Sequence, residues 1–356
     1  MIFAEVAPDQ ALGGILAHSV QVKARRLKKG IVLGPDDIAA LQAAGITGIS
    51  VAQLEPGDVA ENDAAAALAQ ALLDQDTPAG LAAASGAAVG KAGACAHLEQ
   101  TPAFTGRVNL LASGPGVAVL DIAAIEAVNL VHPMITLATV PPFAQMRAGG
   151  MVATIKIISY AVSGRDLARA CVLARGAIRL ARPVLTRADL IVTTAPGGAG
   201  QKGVDAIHAR LDALGVNLEN IIEISHNQGE LQAKIQASTA ELLLILTASA
   251  TSDIADVAPA ALVAAGGTIE RFGMPVDPGN LLFFGTQAGR AVIGLPGCAR
   301  SVALNGADWV LSRIVCGQAL TSAEVAAMGV GGLLKEIPSR PQPRRPRGPS
   351  GGKGAQ

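Results

Sequence analysis

The run Glu241–Gly267, ELLLILTASATSDIADVAPAALVAAGG, limits the fold more than any other stretch of the chain. Leu242 to Thr247 are apolar or nearly so, with no polar residue alternating among them. A half-buried strand would be polar at every second position, so this run predicts a strand buried on both faces, as in a parallel sheet. Behind it Thr247, Ser249, Thr251, Ser252 and Asp253 crowd hydroxyls against a carboxylate, and Asp256 stands three residues before Pro259. With Asp256 as N-cap, Pro259 falls in the first turn, where its missing N–H costs little. The helix then runs through Ala260, Leu262 and Val263 and stops at Gly266-Gly267. A strand that empties into a polar loop at a helix N-terminus is a usual anion site in an α/β protein. An ordinary βα turn with a capping Asp is the plainer reading of the same residues.

The alternation extends both ways from Val184 onward. ADLIVTTA reads as a strand, PGGAGQKG as a glycine-rich loop and VDAIHARLDALG as a helix. NIIEIS is a strand and GELQAKIQAS a helix. After α/β residues to Gly267, NLLFFGTQAGRAVIGLPG gives two strands about a turn, and a last helix runs from about Arg300 to Val315. This order predicts an α/β fold with a doubly wound, mostly parallel sheet over residues 184–320.

Upstream, residues 1–78 read as a small α/β unit. GGILAHSV is a strand carrying His18 as a hydrogen-bonded structural histidine, and Lys23, Arg25, Arg26, Lys28 and Lys29 form a solvated basic hairpin face. A helix starts at Pro35-Asp36-Asp37 and stops at Gly45. ITGISVAQL is a strand, and an Ala-rich helix spans Glu61 to Leu73 with Asn62 or Asp63 to cap it. Residues 79–97 are nearly all Ala, Gly and Ser, either a frayed helix or a flexible linker. Residues 98–180 form a β-rich module with the helix DIAAIEAVNLV in its middle and a second helix, Ser163 to Leu180, at its end. Residues 338–356, rich in Pro, Arg, Gly and Ser, read as a disordered tail.

Composition narrows the partners. Formal net charge is zero, and there are one Trp, one Tyr and six Phe, so neither a basic field nor a base-stacking platform for nucleic acid is expected. No apolar run reaches the length of a membrane span, and MIFAEVAPDQ lacks the basic and apolar regions of a secretory signal. Cys95, Cys171, Cys298 and Cys316 are widely spaced with no CxxC pair, so neither a zinc site nor a disulfide framework is indicated; reduced thiols in the cytoplasm fit best.

Loops that follow parallel strands gather on one sheet edge. TTAPGGAG (193–200), TASATSDIAD (247–256), PVDPGN (275–280) and LPGCARS (295–301) are the candidates to meet there. The first is neither a Walker A loop, for want of a GK[ST] ending, nor a GxGxxG fingerprint. LPGCARS, placed before a helix, offers N–H groups, Arg300 and Ser301 to a phosphate or carboxylate, and sets Cys298 where a thiol's pKa can fall.

ILTASATSDIADVAPAAL, GMPVDPGNLLFFG and GRAVIGLPG together resemble the molybdopterin-binding (MoaB/Mog-type) domain family over roughly 184–318. Thr247, Asp256, Pro278-Gly279 and Leu295-Pro296-Gly297 match that family's Thr, Asp, PG loop and LPG turn. The upstream portion resembles the N-terminal half of bacterial proteins that fuse such a domain to a nucleotidyltransferase, whose LAGGxSxRMG-type loop does not occur here. The resemblance implies a cytoplasmic protein of molybdenum cofactor biosynthesis that binds molybdopterin and self-associates as a homo-oligomer. It acts as a transferase, either adenylylating the pterin phosphate with Mg-ATP or inserting molybdate. It implies Asp256 as the catalytic residue and ligand of Mg2+, and Thr247, Ser249, Thr251, Ser252 and Asp253 as contacts to phosphate or pterin. Pro278, Gly279, Asn280, Pro296, Gly297, Cys298, Arg300 and Ser301 would close the other wall. The departures point elsewhere. The family's Gly-Gly is Ala248-Ser249, its acidic loop is TTAPGG, its acidic pair before the second helix is His226-Asn227, and the Asn-Pro of its last turn is Cys298-Ala299. Losing these acids favours a non-catalytic carrier that passes the cofactor to a molybdoenzyme or another cofactor-biosynthesis protein.

Overall fold

Residues 1–23, 25–74, 96–194 and 201–334 are described by the computed structural model. Most of the Ala/Gly-rich stretch 79–97, the glycines of the 193–200 loop and the tail 338–356 lie outside these residues. The chain divides between Arg182 and Pro183 into two units.

The first unit opens with β1 (Ile2–Val6), β2 (Ile15–Leu16), the hairpin β3 (Val20–Val22) and β4 (Arg25–Leu27), α1 (Pro35–Ala43), β5 (Ile49–Gln53), β6 (Asp58–Ala60) and α2 (Glu61–Leu73). The antiparallel sheet β1-β5-β2 closes over Leu16, Leu33, Leu41 and Val51. Helix α1 starts where its chemistry dictates: Pro35 sits at the first position, and Asp37 accepts the Gly34 N–H at 3.1 Å. GGILAHSV is not one strand: Ile15 and Leu16 form β2, Val20 opens β3, and His18 is exposed in a bend between them. The cap of α2 also differs from expectation. Its N-cap is Ala60, Glu61 N–H donates to Tyr160 O, and Asn62 Oδ1 accepts the Gly106 N–H at 2.8 Å. Tertiary partners have taken over the work of a local cap.

There follow β7 (Leu98–Gln100), β8 (Arg107–Ala112), β9 (Gly116–Leu120), α3 (Ile122–Val131), β10 (Ile135–Thr139), β11 (Gln145–Met146), β12 (Met151–Ile157), β13 (Ala161–Ser163), α4 (Gly164–Ala174) and β14 (Ile178–Ala181). The sheets β10-β12-β8-β7 and β11-β9-β14 share a core in which Val108, Leu110, Ile155 and Ile157 meet Leu68 and Leu72 of α2. Alternation along β8 puts Val108, Leu110 and Ala112 inward, as period two requires. The helix predicted from Ser163 to Leu180 ends at Ala174. Gly176, at φ +65°, turns the chain, and Ile178 joins β14 beside β9 instead of extending the helical stripe.

The second unit runs β15 (Arg187–Thr194), α5 (Gln201–Asp212), β16 (Asn217–Ser225), α6 (Gln228–Ala237), β17 (Leu242–Leu246), α7 (Val257–Ala264), β18 (Thr268–Phe272), β19 (Phe283–Gln287), β20 (Arg290–Leu295), α8 (Gly306–Val315) and α9 (Ser322–Ala327). Its six-stranded sheet has the order β16-β15-β17-β20-β19-β18. The first four strands are parallel, β19 runs against β20, and β18 runs against β19, so the sheet is mixed. Strand β18 and helix α9 have no counterpart in the sequence reading. Leu190 and Val192 pack with Ile207 and Leu211 of α5 and Val310 and Leu311 of α8. Ile191, Leu243 and Ile245 pack with Leu231 and Ile235 of α6 and Ala261 and Leu262 of α7. Helices thus cover both sheet faces, which is why β17 carries no polar side chain; each buried Leu or Ile contributes about 2 kcal/mol. From β15 the chain first adds β16 on one side and then β17 on the other, so the loops after β15 and β17 open at a reversal of strand order. Among the described residues no helix is long and apolar enough to cross a membrane.

Candidate functional site

Strand β17 delivers its loop to the carboxyl edge of the sheet, and the loop's polar groups are largely used on one another. Thr247 and Thr251 are each 5% exposed; the Thr247 hydroxyl donates to Ser249 O at 2.7 Å. Asp253 Oδ1 accepts the Ala255 N–H at 2.7 Å. Asp256 is the N-cap of α7, as its place before Pro259 predicts: Oδ1 accepts the Val257 N–H at 2.7 Å, and Oδ2 accepts the Ser252 N–H at 3.1 Å. Ser249 is exposed, and its Oγ lies 3.3 Å from His226 Nε2. His226 ends the run of β16, and its Nδ1 lies 2.8 Å from the hydroxyl of fully buried Thr193 on β15. That hydroxyl oxygen also accepts the Ala248 N–H at 2.9 Å. Thr193 and His226 therefore tie the ends of β15 and β16 to the loop after β17. Sequence reasoning recorded His226 only as a departure from a family pattern; a lone imidazole between a strand and the Asn227-capped helix α6 was the signal.

Strand β20 runs parallel to β17, so its loop reaches the same edge. Gly297–Arg300 forms one 3-10 turn, and the helix expected from about Arg300 begins only at Gly306, capped by Asn305. Cys298 accordingly does not sit at the N-terminus of α8. The cause is Arg210 of α5, 9% exposed, whose guanidinium pairs with Asp308 at 2.6 Å and donates to the carbonyls of Ala299, Ser301 and Ala303. Those carbonyls are held by a side chain instead of by a helical ladder. Arg300 turns its guanidinium to Thr247 O, over the Cβ-free face of Gly203. The Ser301 hydroxyl accepts the Ala303 N–H at 3.2 Å.

The segments Pro278–Asn280 and Pro296–Cys298 come together as two walls of a cleft of about 260 Å³, with Ala250 of the β17 loop, Asp277 and Leu281 completing it. Gly279 makes this possible: φ is +142°, and a Cβ there would lie 2.7 Å from the Gly306 nitrogen. Gly306 N–H in turn donates to Pro278 O at 2.8 Å, seating the loop on the start of α8. Asp256, Thr251, Ser252 and Asp253 are not among the lining residues. The site is therefore two adjoining parts, the cleft and the Thr193–His226–Ser249 array, with Arg300 bound to the loop between them.

Each Asp256 oxygen accepts one backbone N–H group, and no three His, Cys, Asp or Glu side chains cluster among the described residues. The loop 195–200, APGGAG, adds no carboxylate.

Residues 5–53 match the model of a domain of unknown function (DUF8806). No curated protein matches the chain. Among solved structures, the chain is similar to the crystal structure of a molybdopterin biosynthesis MoeA protein from Pyrococcus horikosii, with 13% identity and a TM-score of 0.29, over 92% of this chain and 77% of that one.

Proposed function

We propose that this protein binds molybdopterin, or a closely similar phosphorylated pterin, at the carboxyl edge of the six-stranded sheet, and serves molybdenum cofactor biosynthesis as a carrier. One observation supports the reading above others. Pro278-Gly279 and Pro296-Gly297, which flank the β19–β20 hairpin and each match the MoaB/Mog-type pattern, line one cleft with Ala250 of the loop that holds the other two matches, Thr247 and Asp256. The cleft lies at the place where open α/β sheets take ligands.

The carrier form follows from the donors. Asp256 caps α7, and no group of three or more His, Cys, Asp or Glu side chains stands together among the described residues. Adenylylation and molybdate insertion are thus the rival reading, and Mg2+, ATP and molybdate belong to it alone. As a carrier the protein works in the cytoplasm, as a homo-oligomer, handing its ligand to a molybdoenzyme or another biosynthetic protein.

The test is purification of the full chain from a molybdopterin-producing host, followed by oxidation and fluorescence analysis of bound pterin. Stoichiometric pterin is expected; a preparation free of pterin overturns the reading. Incubation with molybdopterin, Mg-ATP and molybdate is expected to yield no adenylylated or metallated product. Turnover that disappears in Asp256→Ala would replace the carrier with the enzyme.

A further inference from the structure

The array at the sheet edge has a polarity that its own hydrogen bonds decide. Thr193 is fully buried, and its hydroxyl oxygen accepts the Ala248 N–H at 2.9 Å. Its hydroxyl proton must go to an acceptor, since an unsatisfied buried donor carries the full desolvation cost. His226 Nδ1, at 2.8 Å, is its acceptor. A neutral imidazole that accepts at Nδ1 carries its proton on Nε2. Nε2 faces Ser249 Oγ at 3.3 Å, so Nε2–H donates there, and the hydroxyl proton of exposed Ser249 is left to point outward.

We propose that His226 is a positioning residue locked as the Nε2–H tautomer, and that through Ser249 it presents hydrogen-bond donors to an acceptor oxygen of the ligand, a phosphate oxyanion or a pterin carbonyl, without a bridging cation. This rests on the pterin-binding reading and names the part of the ligand this end of the site takes. It also removes a tempting alternative. Serine beside histidine looks like an activated nucleophile, but a base must have a bare nitrogen facing the hydroxyl, and here that nitrogen holds the proton. The family's acids at these positions would need a cation between themselves and a phosphate; a donor relay needs none.

The experiment is long-range 1H–15N correlation on the full chain labelled at histidine, at about pH 8, where an ordinary imidazole is neutral. An unprotonated Nδ1 and a protonated Nε2 are expected for His226. The opposite tautomer overturns the proposal. Thr193→Val removes the inward donor and is expected to mix the two tautomers, whereas Thr193→Ser, which keeps the hydroxyl, is expected to hold the Nε2–H form. If Thr193→Val fails to fold, the Ser variant and the wild type still decide. Titration with inorganic phosphate and, separately, with unsubstituted pterin is expected to move the His226 Nε2–H signal in one of the two. Movement with phosphate assigns the oxyanion, movement with pterin the carbonyl, and movement with neither overturns the ligand part. His226→Leu is expected to weaken the responding probe about five- to tenfold, the worth of one neutral hydrogen bond. His226→Gln, whose amide N–H points the same way, is expected to recover part of that loss; equal loss in both variants counts against a donor role. The tautomer is read without molybdopterin, so an empty preparation from the host would end the carrier reading and leave this assignment to stand or fall by itself.

Discussion

The loops after β17 and β20 leave one edge of one sheet and are held in opposite ways. The loop after β17 closes on itself. Thr247, Asp253 and Asp256 bond groups within the same ten residues, and among the described residues Thr193, His226 and Arg300 reach it from outside. The loop after β20 is fastened from a distance, by Arg210 across the α5 boundary and by Pro278 against Gly306. Local bonds give a loop a shape and let it shift as a unit; buried long-range bonds fix its position. The cleft has its rigid wall on the β20 side. The exposed hydroxyls of Ser249 and Ser252 lie on the β17 side.

Breaking the rigid wall should have the largest effect. Arg210→Met leaves Asp308, 11% exposed, and the 299–303 carbonyls without their partner. A loss of about 3–5 kcal/mol is expected, as for other half-removed buried pairs, read as a fall in urea midpoint with pterin retention lost alongside. Gly279→Ala comes next. The added Cβ meets the Gly306 backbone at a φ that L-residues rarely adopt, so about 1–3 kcal/mol and a displaced Pro278 wall are expected from the same denaturation curves. Asp256 separates shape from chemistry on the other side. Asp256→Ala should cost about 1 kcal/mol as a lost cap, while Asp256→Asn, itself a good cap, should keep stability within about 0.5 kcal/mol. Bound pterin should be unchanged by the Asn variant and insensitive to added magnesium. A strong loss of binding in Asp256→Asn would return a cation to this loop.

The sequence showed β17 and α7 plainly because both follow local rules. An unbroken apolar run needs two covered faces, and Asp256 before Pro259 is a complete start signal. The turn at Gly297–Arg300 could not be read the same way. Nothing near Arg300 says that a guanidinium from residue 210 will take the carbonyls a helix would have used. Ile178 misled for a related reason: its spacing continues a helical stripe, and the stop signal was one glycine, Gly176, inside the run. For the site, the PG and LPG turns were legible as motifs and do share a cleft. The hydroxyls of Thr247 and Thr251 counted equally with those of Ser249 and Ser252 in the sequence, yet the threonines are buried and the serines exposed. Which hydroxyl faces outward depends on the loop's path, and composition does not record that path.

Helix α9, absent from the sequence reading, supplies the smallest test: it bonds α8, on whose start the Pro278 loop is seated. Glu324 lies on α9, and Arg313 of α8, 6% exposed, bonds its Oε1 at 2.7 Å and donates to Ala319 O as well. Burial alone would raise the Glu324 carboxyl. The Thr321 N–H, the Arg313 guanidinium and the Thr321 hydroxyl outweigh it and hold the group below the ordinary carboxylate value. A folded-state value below the unfolded one means the carboxylate stabilises the fold above the unfolded carboxylate range. That contribution is lost as pH falls through the lower, folded value. Glu324→Gln should therefore lower the urea midpoint at neutral pH and approach the wild-type curve in acid. Because the Glu324 side chain is 41% exposed, solvent screens the pair and the shift should be well under that of Arg210→Met. A Glu324→Gln deficit that persists unchanged in acid would mean that the side chain acts by packing and not by charge, and that α8 gains none of its position from α9's ion pair. The contrast between a wall fastened by distant charges and a loop held by its own turns would then rest on Arg210 alone.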